Sequence, residues 1–246
     1  MLVLVVGLFL LTETAAHLDV VAALQPLSFR TVATNILFAI GFGSPIVLYL
    51  SGLPPLREAL GAVGAGAVIS LALSEAVGAR GVPQAIIGLG LGCLLMLAWR
   101  TWRSRDDQRS TAQRYLLPSI LSLAYTLLAG VFLDTLPRAL PYTFDSLAYV
   151  ADSGFGFQPS FAIGTLFAAV PPLSGICFAI YAAPPPILAF VYTLQLRAKR
   201  PPPIDAITAL LTLGLIGYAF YFLYPVCGPL FAFGPAFPDQ PPLSRL

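Results

Sequence analysis

Charged residues are scarce in this sequence, and hydrophobic residues dominate it. Only 10% of the 246 residues are charged and 58% are hydrophobic, with a mean hydropathy of +0.85. Soluble domains contain roughly 25% charged residues, which help to cover an apolar core. Disordered chains need low hydrophobicity, and nucleic-acid-binding proteins need a basic face. The composition excludes these three classes. It predicts an integral membrane protein whose main partner is the lipid bilayer and that binds no nucleic acid.

Histidine, lysine and cysteine are also nearly absent. The chain has one histidine, His17, and one lysine, Lys199. Its three cysteines, Cys93, Cys177 and Cys227, lie far apart and show neither metal-ligand spacing nor a disulfide framework. These counts predict no metal site and no cofactor, and they exclude a mechanism that uses two histidines of this chain.

Long apolar segments alternate with short polar loops. A helix crosses the hydrocarbon core in about 20 residues, and lipid does not tolerate open strand edges. We therefore predict an all-α integral membrane bundle of about seven spans, forming one domain over residues 1–246. Small residues in the third span, such as Gly61, Gly64 and Gly66, predict close helix packing there. The predicted spans run approximately from Met1 to Leu24, Thr31 to Leu50, Leu60 to Val77, Val82 to Trp99, Tyr115 to Leu136, Gly175 to Leu196 and Ile204 to Tyr224.

The first apolar segment has two interpretations. Glu13, His17 and Asp19 interrupt it, and a small-residue site at Thr14 to Ala16 is compatible with a cleaved signal peptide. A signal peptide normally begins with basic residues, and none precede this apolar run. The missing charge favours a retained first span.

Basic residues are distributed unevenly between the two sides of this arrangement. Nine lie in the loops after the second, fourth and sixth spans, and four lie on the other side. Cytoplasmic loops carry an excess of Lys and Arg. The distribution predicts a cytoplasmic N-terminus and an outer C-terminus.

The segment between the fifth and sixth spans predicts two short helices on the outer face. In residues 144–153 the apolar side chains recur at helical spacing, while Asp145, Tyr149 and Asp152 share the opposite face. This pattern predicts an amphipathic helix at the bilayer surface, with both aspartates facing water or pairing locally. Residues 161–170 form a second apolar helix of roughly half the length of a span, which lies along the interface or dips into it.

The segment after the seventh span is aromatic and rich in turn residues. It reads Tyr-Pro-Val-Cys-Gly-Pro over residues 224–229, followed by Phe231, Phe233 and Phe237. Two such segments on one side indicate either the wall of a lipid-accessible site or an interfacial aromatic belt. Composition alone favours the belt.

The order of these two segments resembles one known family. Residues 142–145 and 156–161, which read YTFD and GFQPSF, and the YPVCGP of residues 224–229 are similar to segments of the inositol phosphorylceramide synthase-like branch of the type 2 phosphatidic acid phosphatase superfamily. The resemblance covers about residues 115–238. It implies a membrane phosphatase or phosphotransferase that acts on lipid phosphates or phosphodiesters at the outer face, in a bacterial inner membrane. In that family one histidine attacks phosphorus, a second handles the proton, and basic residues neutralise the developing charge.

The catalytic motifs of the superfamily, K-x6-R-P, P-S-x-H and S-R-x5-H-x3-D, are not matched. The position after Lys199 that would hold arginine is Ala206, and Pro159-Ser160 is followed by Ala162 where histidine would stand. No histidine follows His17, and the chain stops about where the histidine motif would begin. We therefore assign no catalytic residue. We predict a chain that is inactive alone, either as a truncated product or as one needing a partner subunit that supplies the histidines.

A second hypothesis is a small membrane transporter or assembly factor without catalytic activity. The prolines at 184–186 interrupt the sixth predicted span, as in the broken helices of transporters. For the first hypothesis, we predict substrate binding by residues of the two outer segments. They are Asp145, Tyr149, Asp152, Tyr224, Cys227, Gly228, Pro229 and Phe237.

Overall fold

A computed structural model describes residues 36–78, 80–104, 106–139, 143–199, 202–226, 228, 232–234 and 237. Within these ranges the chain is all-α, as predicted, and contains no strand. The predicted first span and its interrupting residues lie outside the described residues. The helices are α1 (Ile36–Gly41), α2 (Gly43–Ser51), α3 (Leu56–Val77), α4 (Val82–Arg103), α5 (Asp106–Ala139), α6 (Asp145–Ser153), α7 (Pro159–Ala169), α8 (Pro171–Ala182), α9 (Pro184–Arg197) and α10 (Ala206–Leu223).

Two of the described helices are long and apolar enough to cross a membrane, namely α3 and α4 with 22 residues each. The pair α7 and α8 passes the same test as one unit, but its axis bends by 119° at Val170. Shorter apolar helices cover Phe38–Ser51 and Ala206–Tyr221. The described residues therefore contain two candidate spans, or three if the bent pair is one. Seven spans stay a prediction.

Proline shapes the chain where the sixth span was expected. Residues 175–196 form two helices rather than one, because α8 ends at Ala182 and α9 begins at Pro184. Proline is well suited to the first turn of a helix, where its missing N–H costs nothing, but not to a helix interior. The three prolines at 184–186 therefore begin a helix here rather than kink one.

The described residues divide into two compact units. Among the described residues, unit 1 contains those between 132 and 181 and those from 215 onwards, and unit 2 contains those between 36 and 131 and those between 182 and 214. Each unit is described by itself below. A single domain over residues 1–246 stays a prediction.

Unit 2 is built around a tight antiparallel pair, α3 and α4. Gly78 ends α3 in the left-handed conformation, at φ 68°, which glycine adopts without strain. A Cβ atom added to Gly66 would lie 2.9 Å from the Cα of Leu89, so the two backbones are nearly in contact. Gly64, on the same helix, has open space around it. The predicted close packing is confirmed for Gly66, whereas Gly64 lies on another face.

The exposed face of α3 is apolar. Leu60, Val63, Val68 and Leu71 are each more than half exposed. Large contiguous apolar surfaces on a folded protein mark contact with a membrane or a partner. With the apolar helices, this surface identifies the chain as a membrane protein.

The three basic loops predicted to share one side meet at one end of unit 2, which we call the basic end. Arg100, in the last turn of α4, forms an ion pair with Glu58, in the first turn of α3. Arg197, at the end of α9, donates to the carbonyl of Ser51, at the end of α2, over 2.8 Å. Because these bonds join the loops after α2, α4 and α9, the shared side is a property of the fold. Its assignment to the cytoplasm stays a prediction.

Candidate functional site

The two outer segments singled out in the sequence meet in unit 1. The backbone N–H of Phe144 donates to the carbonyl of Pro225 over 2.8 Å. The rings of Phe144 and Tyr224 stack with centroids 4.5 Å apart and an angle of 6° between their planes. Residues about 80 positions apart in the chain are thus joined by a hydrogen bond and a ring contact.

Asp145 fixes the second connection between these segments. Its Oδ1 atom accepts a hydrogen bond of 2.8 Å from the backbone N–H of Gly228. The carboxyl group is buried, with only 5% of the residue exposed. Gly228 has a φ of 89°, a conformation that strongly favours glycine. The Asp145 carboxylate therefore holds a turn that few other residues could form. Hydrogen bonds to charged groups are among the stronger ones, worth about 1.5–3 kcal/mol.

The orientation of α6 differs from the expectation. Asp145 and Tyr149, predicted on the outward polar face, are each only 5% exposed, whereas Leu147 and Val150 are about half exposed. The helix therefore turns its polar stripe inward. The expectation that Asp145 faces water was wrong, because its side chain is buried and accepts a hydrogen bond from a distant segment. Asp152 is partly buried on the same helix.

Four aromatic rings form a cluster beside this junction. Phe161 is 1% exposed, and its ring centroid lies 5.2–5.3 Å from those of Tyr149, Phe233 and Phe237. Phe161 meets the other three rings at angles of 63–76°, in the edge-to-face manner that their quadrupoles favour. The cluster joins α6, α7 and the segment after α10, residues 224–237, which we call the tail, so it is the packing core of this part of unit 1.

Gln158 supports the cluster from the start of α7. Its Nε2 atom donates to the carbonyl of Tyr149 over 2.8 Å, and the residue is 5% exposed. Its Oε1 atom is also buried, and it has no hydrogen-bond partner among the described residues. The amide therefore ties the start of α7 to the backbone of α6 at Tyr149 and leaves one buried acceptor beside it.

The structure locates most of the predicted substrate-binding residues. Asp145, Tyr149, Gly228, Tyr224 and Phe237 take part in the junction or the ring cluster. Cys227 and Pro229 lie outside the described residues. Sequence reasoning placed the substrate-facing parts at Asp145 to Phe161 and Tyr224 to Pro238, but it did not name Phe144, Gln158, Phe161 and Phe233 as individual site residues. Phe144, Gln158 and Phe161 lie within the YTFD and GFQPSF segments. Their position in these two segments was the sequence feature that could have identified them as site residues.

These contacts belong to a stretch with a recognised family pattern. Residues 146–244 match the PAP2 superfamily. The PAP2 match covers less than half of the 246 residues, and it begins one residue after Asp145. It contains α7, the bend at Val170 and the YPVCGP segment. No curated protein and no solved structure matches the chain.

The chemistry available in the PAP2-matched segment is limited by its residue types. It contains no histidine and one lysine, Lys199, which belongs to unit 2. The described residues contain no group of three or more His, Cys, Asp or Glu side chains that could hold a metal ion. What the junction in unit 1 supplies is a rigid aromatic frame, one buried carboxylate and one buried amide.

Proposed function

We propose that the segments 143–161 and 224–237 of unit 1 provide the lipid-binding frame of a lipid phosphatase or phosphotransferase of the inositol phosphorylceramide synthase-like branch. The observation that carries the proposal is the junction of the two motif segments through Asp145 and Gly228. The PAP2 match over residues 146–244 supports a lipid phosphate as the substrate class. Among the predicted site residues, Asp145, Tyr149, Tyr224, Gly228 and Phe237 form contacts of this frame, and Asp152 lies on α6. Cys227 and Pro229 are the neighbours of Gly228 in the sequence.

We further propose that residues 1–246 do not turn over substrate by themselves. Phosphoryl transfer of this type needs a histidine nucleophile and a second histidine for the proton, and this sequence contains only His17. The histidines would come from another polypeptide segment or from a partner subunit. The site would face the outer side of a bacterial inner membrane, with the N-terminus in the cytoplasm, as the loop charges favour.

Photo-crosslinking with a diazirine analogue of phosphatidic acid tests the frame. The purified chain in phosphatidylcholine nanodiscs should crosslink mainly within residues 143–161 and 224–237. Unlabelled phosphatidic acid should compete at least tenfold better than diacylglycerol, because the phosphate distinguishes the two lipids. No phosphate should be released in the same samples.

Asp145→Ala supplies the variant for this experiment, and Ser146→Ala is the matched control on the same helix. Loss of the carboxylate leaves the Gly228 N–H without its acceptor, so crosslinking at residues 224–237 should fall at least fivefold. Ser146 is exposed, and its replacement should leave the pattern unchanged. Crosslinks scattered over both units, equal competition by diacylglycerol, or steady phosphate release by the chain alone would each contradict the proposal.

The 119° bend between α7 and α8 favours a second candidate function, a small transporter or assembly factor. Bent or broken helices at membrane depth are typical of transporters, where they surround a substrate site. Replacing Pro171 and Pro172 with alanine removes the residues that begin α8. If solute uptake into proteoliposomes exists and falls with this variant while phosphatidic acid crosslinking persists, transport is the better description.

A further inference from the structure

The basic end of unit 2 gathers more positive charge than its ion pairs use. In the sequence, the stretches 52–58, 100–114 and 197–205, which contain these loops and the adjoining helix turns, hold nine basic and four acidic residues. Glu58 is paired with Arg100, and Asp205 accepts hydrogen bonds from Thr208 at the start of α10. Arg57, Arg103 and Lys199 are exposed. These three positive charges therefore face solvent.

Aromatic side chains stand beside this charge. The rings of Trp99 and Trp102, in the last turns of α4, lie edge to face with centroids 5.3 Å apart. The guanidinium of Arg103 lies over the Trp99 ring, 5.7 Å from its centroid. Tryptophan prefers the headgroup level of a bilayer, and arginine extends from there towards the water. With Trp99 at the headgroup level of a bilayer, the Arg103 guanidinium would lie near the lipid phosphates.

The loop between α2 and α3 adds an apolar tip at the same end. Leu53 is 78% exposed and Leu56 is 74% exposed. Leu53 adopts a φ of 46°, which is unusual for a residue with a side chain and directs the turn at this position. Exposed leucines adjacent to Arg57 suit the membrane–water interface, because leucine can contact acyl chains while arginine binds headgroups.

From this arrangement we infer that the basic end is a binding site for anionic phospholipid headgroups of the adjoining leaflet, such as phosphatidylglycerol. Arg57, Arg103 and Lys199 bind the phosphate, while Trp99, Trp102 and Leu53 contact the glycerol and upper acyl region. Charge complementarity selects this occupant over zwitterionic lipids, since each Lys or Arg near an anionic surface adds roughly a fivefold preference. The inference concerns unit 2 and does not rest on the proposed lipid phosphate chemistry of unit 1.

Lipid retention measured by native mass spectrometry tests the site. The full chain is extracted from membranes containing equal phosphatidylglycerol and phosphatidylcholine, and bound lipids are counted. The wild type should retain phosphatidylglycerol at least tenfold more often than phosphatidylcholine. The variant Arg57→Gln/Arg103→Gln/Lys199→Gln should lose most of that preference, and 0.5 M salt should weaken it in the wild type.

Arg80→Gln is the matched control, because Arg80 is an exposed arginine in the loop at the opposite end of α3 and α4, paired with Glu75. It should retain phosphatidylglycerol as the wild type does. The three mutated side chains are exposed, so the thermal midpoint in phosphatidylcholine should stay within a few degrees for both variants. The inference fails if the triple variant retains phosphatidylglycerol normally, or if Arg80→Gln loses as much of it.

Discussion

Replacing Gly66 with leucine should prevent α3 and α4 from packing, whereas replacing Gly64 with leucine should be tolerated. A Cβ at position 66 would come within 2.9 Å of the Leu89 backbone, and backbone atoms cannot move aside as a side-chain tip can. Overpacking costs about 1–3 kcal/mol even where side chains can adjust, so Gly66→Leu should cost about 3 kcal/mol or more. In unit 2, where this pair forms much of the framework, that loss should leave little folded protein.

Gly64→Leu is a sharp control, because it places the same side chain on the same helix two residues away. Nothing lies within 4 Å of a Cβ at position 64. Leucine is a better helix former than glycine by about 0.8 kcal/mol, so this variant should match or exceed the wild type in stability. The stability of each variant is measured as its unfolding midpoint in an SDS titration and as the monodisperse fraction that remains after heating in mild detergent. Equal midpoints for the two variants would contradict the observed helix contact.

Truncating Phe161 to alanine should have the largest effect in unit 1. Its ring is 1% exposed and contacts Tyr149, Phe233 and Phe237. Phe-to-Ala changes in packed cores cost about 3–5 kcal/mol, because the cavity left behind does not fully close. For a chain of this size, 1 kcal/mol corresponds to roughly 2–4 °C in thermal midpoint, so a loss of about 10 °C is expected.

The control for Phe161 is Phe155→Ala, in the turn between α6 and α7. Phe155 is 72% exposed, so its loss should change the midpoint by no more than about 1–2 °C. Phe161→Ala should also increase proteolytic cleavage within residues 224–237, since the tail packs on this ring. Protection of the tail in the Phe161 variant would show that the ring cluster does not hold it.

The composition was sufficient to predict a helical membrane protein, because the lipid bilayer restricts both the composition and the length of the segments that cross it. Spans three and four were predicted within a few residues of α3 and α4, since about 20 apolar residues between turn signals allow few alternatives. The Gly78 turn and the proline-initiated helices α7 and α9 follow from local backbone restrictions. The helical fold, the membrane environment and the two motif segments could all be predicted from local chemistry.

The face that α6 turns inward could not be predicted in this way. In water, Leu147 and Val150 would be expected inside and Asp145 outside, but in an apolar environment exposed leucine and valine cost little. A carboxylate, in contrast, must find a donor wherever it is buried. The identity of that donor depends on which distant segment packs against the helix. Here the donor is the N–H of Gly228, 83 positions away.

The sequence by itself determined that the chain is an all-helical membrane protein with a surplus of arginine in three loops and with too few histidines for the chemistry its motifs resemble. Only the tertiary structure decided that Asp145 holds the Gly228 turn, that Phe161 gathers three other rings, and that the three basic loops meet at one end of unit 2. The physical reason is the separation along the chain over which each interaction acts. Hydropathy, proline and glycine act on neighbouring residues, whereas the pairing of buried polar groups and the packing of rings depend on segments that only folding brings together.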